Sequence, residues 1–116
     1  MRDDRLRLLD VRASIQRIRE FMSGKSQPDL SNDRMLQSAV LYEFAVLGEA
    51  AGAVSSATTS KYPDVDWKGA KDLRNVVIHG YHKTDVSLVW DAVANDLPVL
   101  EQQIQRILNE QFPRKA

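Results

Sequence analysis

The chain contains no cysteine, so disulfides, thiol nucleophiles and thiolate metal sites are excluded. No apolar run approaches the roughly eighteen residues a membrane span requires. The opening stretch, MRDDRLRLLD, is charged and amphipathic. It lacks the apolar run and cleavage site of a signal peptide, so a cytoplasmic location is expected. Net charge is absent too: 16 Lys and Arg balance 16 Asp and Glu. A strongly basic nucleic-acid binder would not look like this. Any contact with nucleic acid must come from a local patch. Strand-type alternation, internal repeats and low-complexity segments are also missing.

What remains is an ordinary globular composition, with 43% apolar and 28% charged residues. The 116 residues suit one domain spanning 1–116, with 112–116 as a frayed tail. A separate cofactor domain would not fit.

Apolar periodicity predicts helices throughout. Leu6, Leu9, Ala13, Ile15, Ile18 and Phe21 or Met22 recur mostly at steps of three or four, which predicts a helix from Asp4 to Met22. Gly24 ends it, and Ser23 to Asn32 reads as a loop. Ser31 or Asn32 can cap a second helix from about Asp33 to Ser55. Met35, Leu36, Ala39, Val40, Tyr42, Leu47 and Val54 give it a broad apolar face. Its middle is small, with Ala45, Gly48, Ala51 and Gly52. That composition permits close helix approach, either inside the bundle or across a dimer interface.

A polar connection follows, then a helix from Trp67 to about His79 capped by Asp64 or Asp66. Trp67, Ala70, Leu73, Val77 and Ile78 are its expected core residues, with Trp67 and Trp90 as anchors. Gly80 marks the expected stop, and Tyr81 to Thr84 a short turn. Thr84 or Asp85 begins the last helical run, through Val86, Val89, Trp90 and Val93 to Leu108. Pro98 inside that run predicts a kink, or a break just before it. The expected fold is an all-α bundle of four to five helices.

The segment WKGAKDLRNVVIHGYHKTDVSLVWD carries the chemistry. It places Arg74, His79 and Tyr81 at the spacing R-x4-H-x-Y, with the polar Asn75 directly after the arginine. A histidine titrates near neutrality and can give or take a proton. An arginine presents a fixed fork of donors to a phosphate. Metal-free RNA cleavage needs those two functions, one for the 2′-hydroxyl or leaving-group proton and one for the phosphorane charge. On an ideal helix Arg74 and His79 lie roughly 140° apart. Either the helix loosens near Gly80, or the long arginine reaches round, or two protomers pool their copies in one cleft. The last option is favoured, because one Arg and one His make a sparse site. The bland alternative is that both cationic groups answer the helix dipole. Requiring Tyr81 as well makes chance agreement rarer.

These residues resemble the signature of HEPN domains, and more closely the HepT-like branch. The helix with LGEAAGAVS is similar to that family's second helix. Trp67, LRNVVIHGY and VSLVWDAVANDLPVLEQQI resemble its third and fourth helices in order and spacing. The resemblance implies an up-and-down helical bundle that forms a homodimer, with paired motifs lining a cleft at the interface. It implies a metal-independent endoribonuclease toxin, with Arg74 and His79 as the catalytic pair and Asn75 in support. The partner it implies is a small, minimal nucleotidyltransferase antitoxin that transfers AMP to Tyr81. Lys71, His82 and Lys83 are candidate RNA contacts. No cofactor or metal is expected. His79 and His82 are spaced i, i+3, but no carboxylate–histidine cluster supports them as ligands. Glu49 reads as an exposed or interface residue. The rival expectation is a non-catalytic module that binds substrate or RNA for a nucleotidyltransferase.

Overall fold

The structure is a computed structural model. It describes residues 3–79 and 85–113, with the backbone alone for 76–79. The expectations for Gly80, Tyr81, His82, Lys83 and Thr84 therefore lie outside the described residues, as do those for the side chains of Val77, Ile78 and His79.

Helix α1 spans Asp4–Met22. Asp3 caps it, its carboxylate accepting from the Leu6 N–H at 2.9 Å. Gly24 follows with φ of 71°, the left-handed turn that glycine adopts without strain. The stretch read as a loop then holds a short helix, α2, over Gln27–Ser31. Ser26 and Asp29 form a reciprocal capping box there, and Leu30 is fully buried. Five residues show no periodicity, which is why the pattern did not reveal it.

Helix α3 covers Arg34–Gly52 and is capped by Asp33, not by Ser31 or Asn32. It ends three residues before the expected Ser55. The polar connection contains one further turn, α4, over Ser56–Thr59. Asp4 ties it to the start of α1. Its carboxylate accepts from the Ser55 N–H at 2.9 Å and from the hydroxyls of Ser55 and Thr58. Helix α5 spans Trp67–His79, as the spacing predicts. Helix α6 covers Val86–Asp91, with Asp85 as its cap. Helix α7 covers Leu97–Gln111.

Between α6 and α7, Ala92–Asp96 form a π-helical turn. Pro98 cannot donate to the carbonyl four residues earlier, and its ring crowds it. The wider turn just upstream absorbs that defect, so the expected kink takes the form of a π-turn.

The body of the bundle is α1 packed between α3 and α7. Leu8, Val11, Ile15 and Ile18 from α1 meet Val40, Phe44 and Leu47 from α3 and Leu97, Ile104 and Ile107 from α7, all fully buried. On α1 the buried face is centred on Leu8 and Val11, while Leu6 and Leu9 are half-buried. A helix packed on both sides buries a wider stripe than one face supplies. Two residues assigned to the apolar face of α3 are exposed instead: Met35 at 84% and Tyr42 at 66%. Trp67 and Trp90 are partly buried against the core. Among the described residues there is no strand, and no helix is long and apolar enough to cross a membrane.

Candidate active site

Helix α5 is built to be placed precisely. Asp66 starts it, its carboxylate accepting from the Gly69 N–H at 2.9 Å; this settles the cap in favour of Asp66. Trp67 pins the first turn, its indole N–H donating to the Tyr62 carbonyl at 3.0 Å. Tyr62 is itself buried, and its hydroxyl pairs with Glu110 on α7 at 2.9 Å. The Arg106 guanidinium lies over the Tyr62 ring, 5.3 Å from its centre. That guanidinium also grips both Asp64 carboxylate oxygens, at 2.8 and 3.0 Å. The start of α5 is thus anchored to α7 through aromatic and charge-assisted contacts.

The rest of α5 rests on α3, the most extensive helix pairing among the described residues. The contact runs through glycines. A Cβ placed on Gly48 would lie 2.8 Å from the Lys71 carbonyl oxygen and 2.9 Å from the N and Cβ of Arg74. One placed on Gly52 would meet the Lys71 side chain at 3.1 to 3.6 Å. The small middle of α3 therefore serves a close approach inside the bundle, one of the two expected uses. Gly48 is buried, whereas Gly52 stays exposed.

On this seat Arg74 is exposed and Asn75 half-buried. Among the described residues Arg74 and Lys71 have no hydrogen-bond or ion-pair partner. The nearby acidic residue, Asp72, is taken up by Lys68 at 2.8 Å. That hydrogen bond holds the Asp72 carboxyl below the ordinary carboxylate value, with charge attraction from Lys68, Lys71 and Arg74 adding to it. Arg74 thus keeps its fork of donors open to a ligand.

The α5 backbone is helical through His79. Arg74 and His79 are then about 140° apart round the helix axis, so the arginine and the histidine positions do not share one face. Tyr81, His82 and Lys83 fall outside the described residues. Glu49 is exposed, as expected, beside Arg7, Asp10 and Ala45. No group of acidic or histidine side chains among the described residues is arranged to hold a metal.

One buried charge is missing from the sequence reading. Glu43 on α3 is 6% exposed, and Arg17 of α1 donates to it at 3.4 Å. An acidic residue in the middle of an apolar helix was the available hint.

The model of the family described as ribonuclease HepT-like matches residues 11–107. The chain belongs to that family. Three curated relatives align over most of it. A Methanocaldococcus jannaschii protein named "Gamma-glutamylcyclotransferase and putative RNase" is 29% identical, over 94% of this chain and 49% of its own length. A second from that organism, named "Putative RNase", is 30% identical over 90% of this chain and 95% of its own length. The "Probable ribonuclease HepT" of Thermococcus cleftensis is 27% identical over 86% and 91%. The chain thus spans about half of the first relative and nearly all of the other two. No solved structure matches. The matched span contains the whole Arg74–Tyr81 motif.

Proposed function

We propose that this chain is a metal-independent endoribonuclease, acting as the toxin of a pair whose antitoxin is a small nucleotidyltransferase. The observation that carries the reading is an exposed, unpaired Arg74 on the helix that ends at His79, in a chain belonging to a ribonuclease family. RNA supplies its own nucleophile. The 2′-hydroxyl loses its proton and its oxygen attacks the adjacent phosphorus. The 5′-oxygen leaves and takes up a proton. The products are a 2′,3′-cyclic phosphate and a 5′-hydroxyl end. His79 moves a proton in this scheme, and Arg74 holds the phosphorane oxygens through its guanidinium. Asn75 supports the arginine. Lys71, His82 and Lys83 contact the RNA backbone.

A single protomer offers one arginine and one histidine at positions 140° apart on an ideal helix, roughly opposite each other. A homodimer that sets two motifs across a cleft supplies both functions to one phosphate. Met35 and Tyr42, seven residues apart on α3 and the most exposed large apolar side chains described, support such a face. Tyr81 is the AMP acceptor. Its phenol oxygen attacks the α-phosphorus of ATP on the partner enzyme and pyrophosphate leaves. The added phosphate blocks RNA by bulk and charge.

The reading is tested on the product ends. Cleavage of RNA in EDTA should leave cyclic phosphate and 5′-hydroxyl termini, and the matching DNA should stay intact. An absolute requirement for a divalent ion, or equal cutting of DNA, contradicts it. With a cognate nucleotidyltransferase and labelled ATP, Tyr81→Phe should lose the label. Full labelling of Tyr81→Phe would place the acceptor elsewhere. A wild-type protein inert on varied RNAs favours the non-catalytic partner module.

A further inference from the structure

Glycine inside a helix costs roughly 1 kcal/mol relative to alanine, and α3 holds one in its interior, Gly48, with a second four residues on at its last position, Gly52. Four residues apart on a helix means the same face. That face meets Lys71 and Arg74 of α5, which are three apart and also share a face. The two contacts differ in kind. Gly48 faces backbone atoms and the first side-chain carbon of Arg74, none of which can rotate away. Gly52 faces the methylene stem of Lys71, which can.

We propose that Gly48 and Gly52 are positioning residues for phosphate binding: Gly48 sets where Arg74 stands, and Gly52 gives the Lys71 stem a bed. Together they hold the two cations side by side as one grip for neighbouring phosphates of a single-stranded RNA. This rests on the ribonuclease reading above and adds the residues that aim its arginine. Any side chain at 48 starts 2.8 Å from a carbonyl oxygen, and ordinary contact begins near 3.4 Å. Helix α5 must then withdraw as a unit and carry Arg74 with it. Misplacing a charge-stabilising group by about 1 Å costs on the order of a hundredfold in rate.

The test compares wild type, Gly48→Ala, Gly52→Ala and Arg74→Ala on one RNA, well below each melting temperature. Ile104→Val serves as a control for plain core destabilisation. Gly48→Ala should lose roughly ten- to a hundredfold in kcat with KM near wild type. Gly52→Ala should show its loss in KM. Its plot of log affinity against log salt should flatten by up to about 0.7, the value of one single-strand phosphate contact. Ile104→Val should lose stability and keep kcat. A folded Gly48→Ala with wild-type kcat, beside an inert Arg74→Ala, overturns the proposal and leaves the ribonuclease reading standing. If Gly48→Ala does not fold, Gly52→Ala decides, and an unchanged KM and salt slope overturns the grip. Wild-type cleavage by Arg74→Ala sinks the ribonuclease reading, and the proposal with it.

Discussion

The middle of α3 and its last turns use opposite kinds of residue. The middle supplies Val40, Phe44 and Leu47, large side chains with no exposure at all. The last turns present Gly48 and Gly52 to α5, close to the backbone and Cβ of Arg74 and to the stem of Lys71. Large residues interlock and resist change through lost packing and cavity formation. Glycines resist change through steric exclusion, because nothing can be added without moving the neighbour. The first device holds the bundle together. The second sets the distance of the one helix that carries Arg74, and it contributes little apolar burial. Stability and site geometry therefore rest on different stretches of the same helix.

The largest effect is expected at the packed residues. Phe44→Ala should cost about 3–5 kcal/mol of unfolding free energy, read from urea denaturation, while the protein that remains folded keeps wild-type kcat. A collapse of kcat at full folding would show that the two stretches are not separable.

The Asp4 junction comes next. Burial raises the Asp4 carboxyl pKa, but hydrogen bonds from the Ser55 and Thr58 hydroxyls and the Ser55 N–H outweigh it and hold the value below the ordinary one. A depressed folded pKa means the stabilisation is fully present above the unfolded value, near 3.9. It is lost as pH falls through the folded value. Asp4→Asn should cost about 1–2 kcal/mol at neutral pH and shrink the loss of stability on acidification. An acid limb identical to wild type would remove Asp4 as its source.

Asp66→Ala should cost about 1 kcal/mol through the lost cap, with fraying at the start of α5 visible by hydrogen exchange at Lys68–Ala70. Protection equal to wild type there would mean that Trp67 alone anchors the turn. Lys68→Ala should be the smallest effect. The pair with Asp72 is a solvent-exposed i, i+4 contact, so the melting temperature should not move. Freed Asp72 would then lie closer in charge to Arg74, and a rise in KM is the expected readout. An unchanged KM would show that Asp72 does not compete for the arginine.

Much of the architecture was legible because it rests on period and punctuation. The bounds of α1 and α5 follow from apolar spacing and from Gly24 and Asp66. Pro98 announced its distortion, although only the structure shows that a π-turn at Ala92–Asp96 absorbs it. Helices α2 and α4 escaped because they are too short for periodicity and are held by caps and by Asp4. Met35 and Tyr42 escaped because a helix can carry apolar residues beyond the face its own bundle covers. For the site, R-x4-H-x-Y and Asn75 were readable as spacing, and the family follows from the match over 11–107. The meeting of Gly48 with Arg74 was not. It joins residues 26 positions apart, and the pattern of α3 alone left a bundle contact and a dimer contact equally open.

The most direct measurement is cleavage of a labelled RNA in EDTA by wild type, Arg74→Ala and His79→Ala, each shown to be folded by circular dichroism. Cutting by wild type, with both variants slowed by at least about a hundredfold, is the predicted result. Cutting at the wild-type rate by either variant would contradict the assignment of the site.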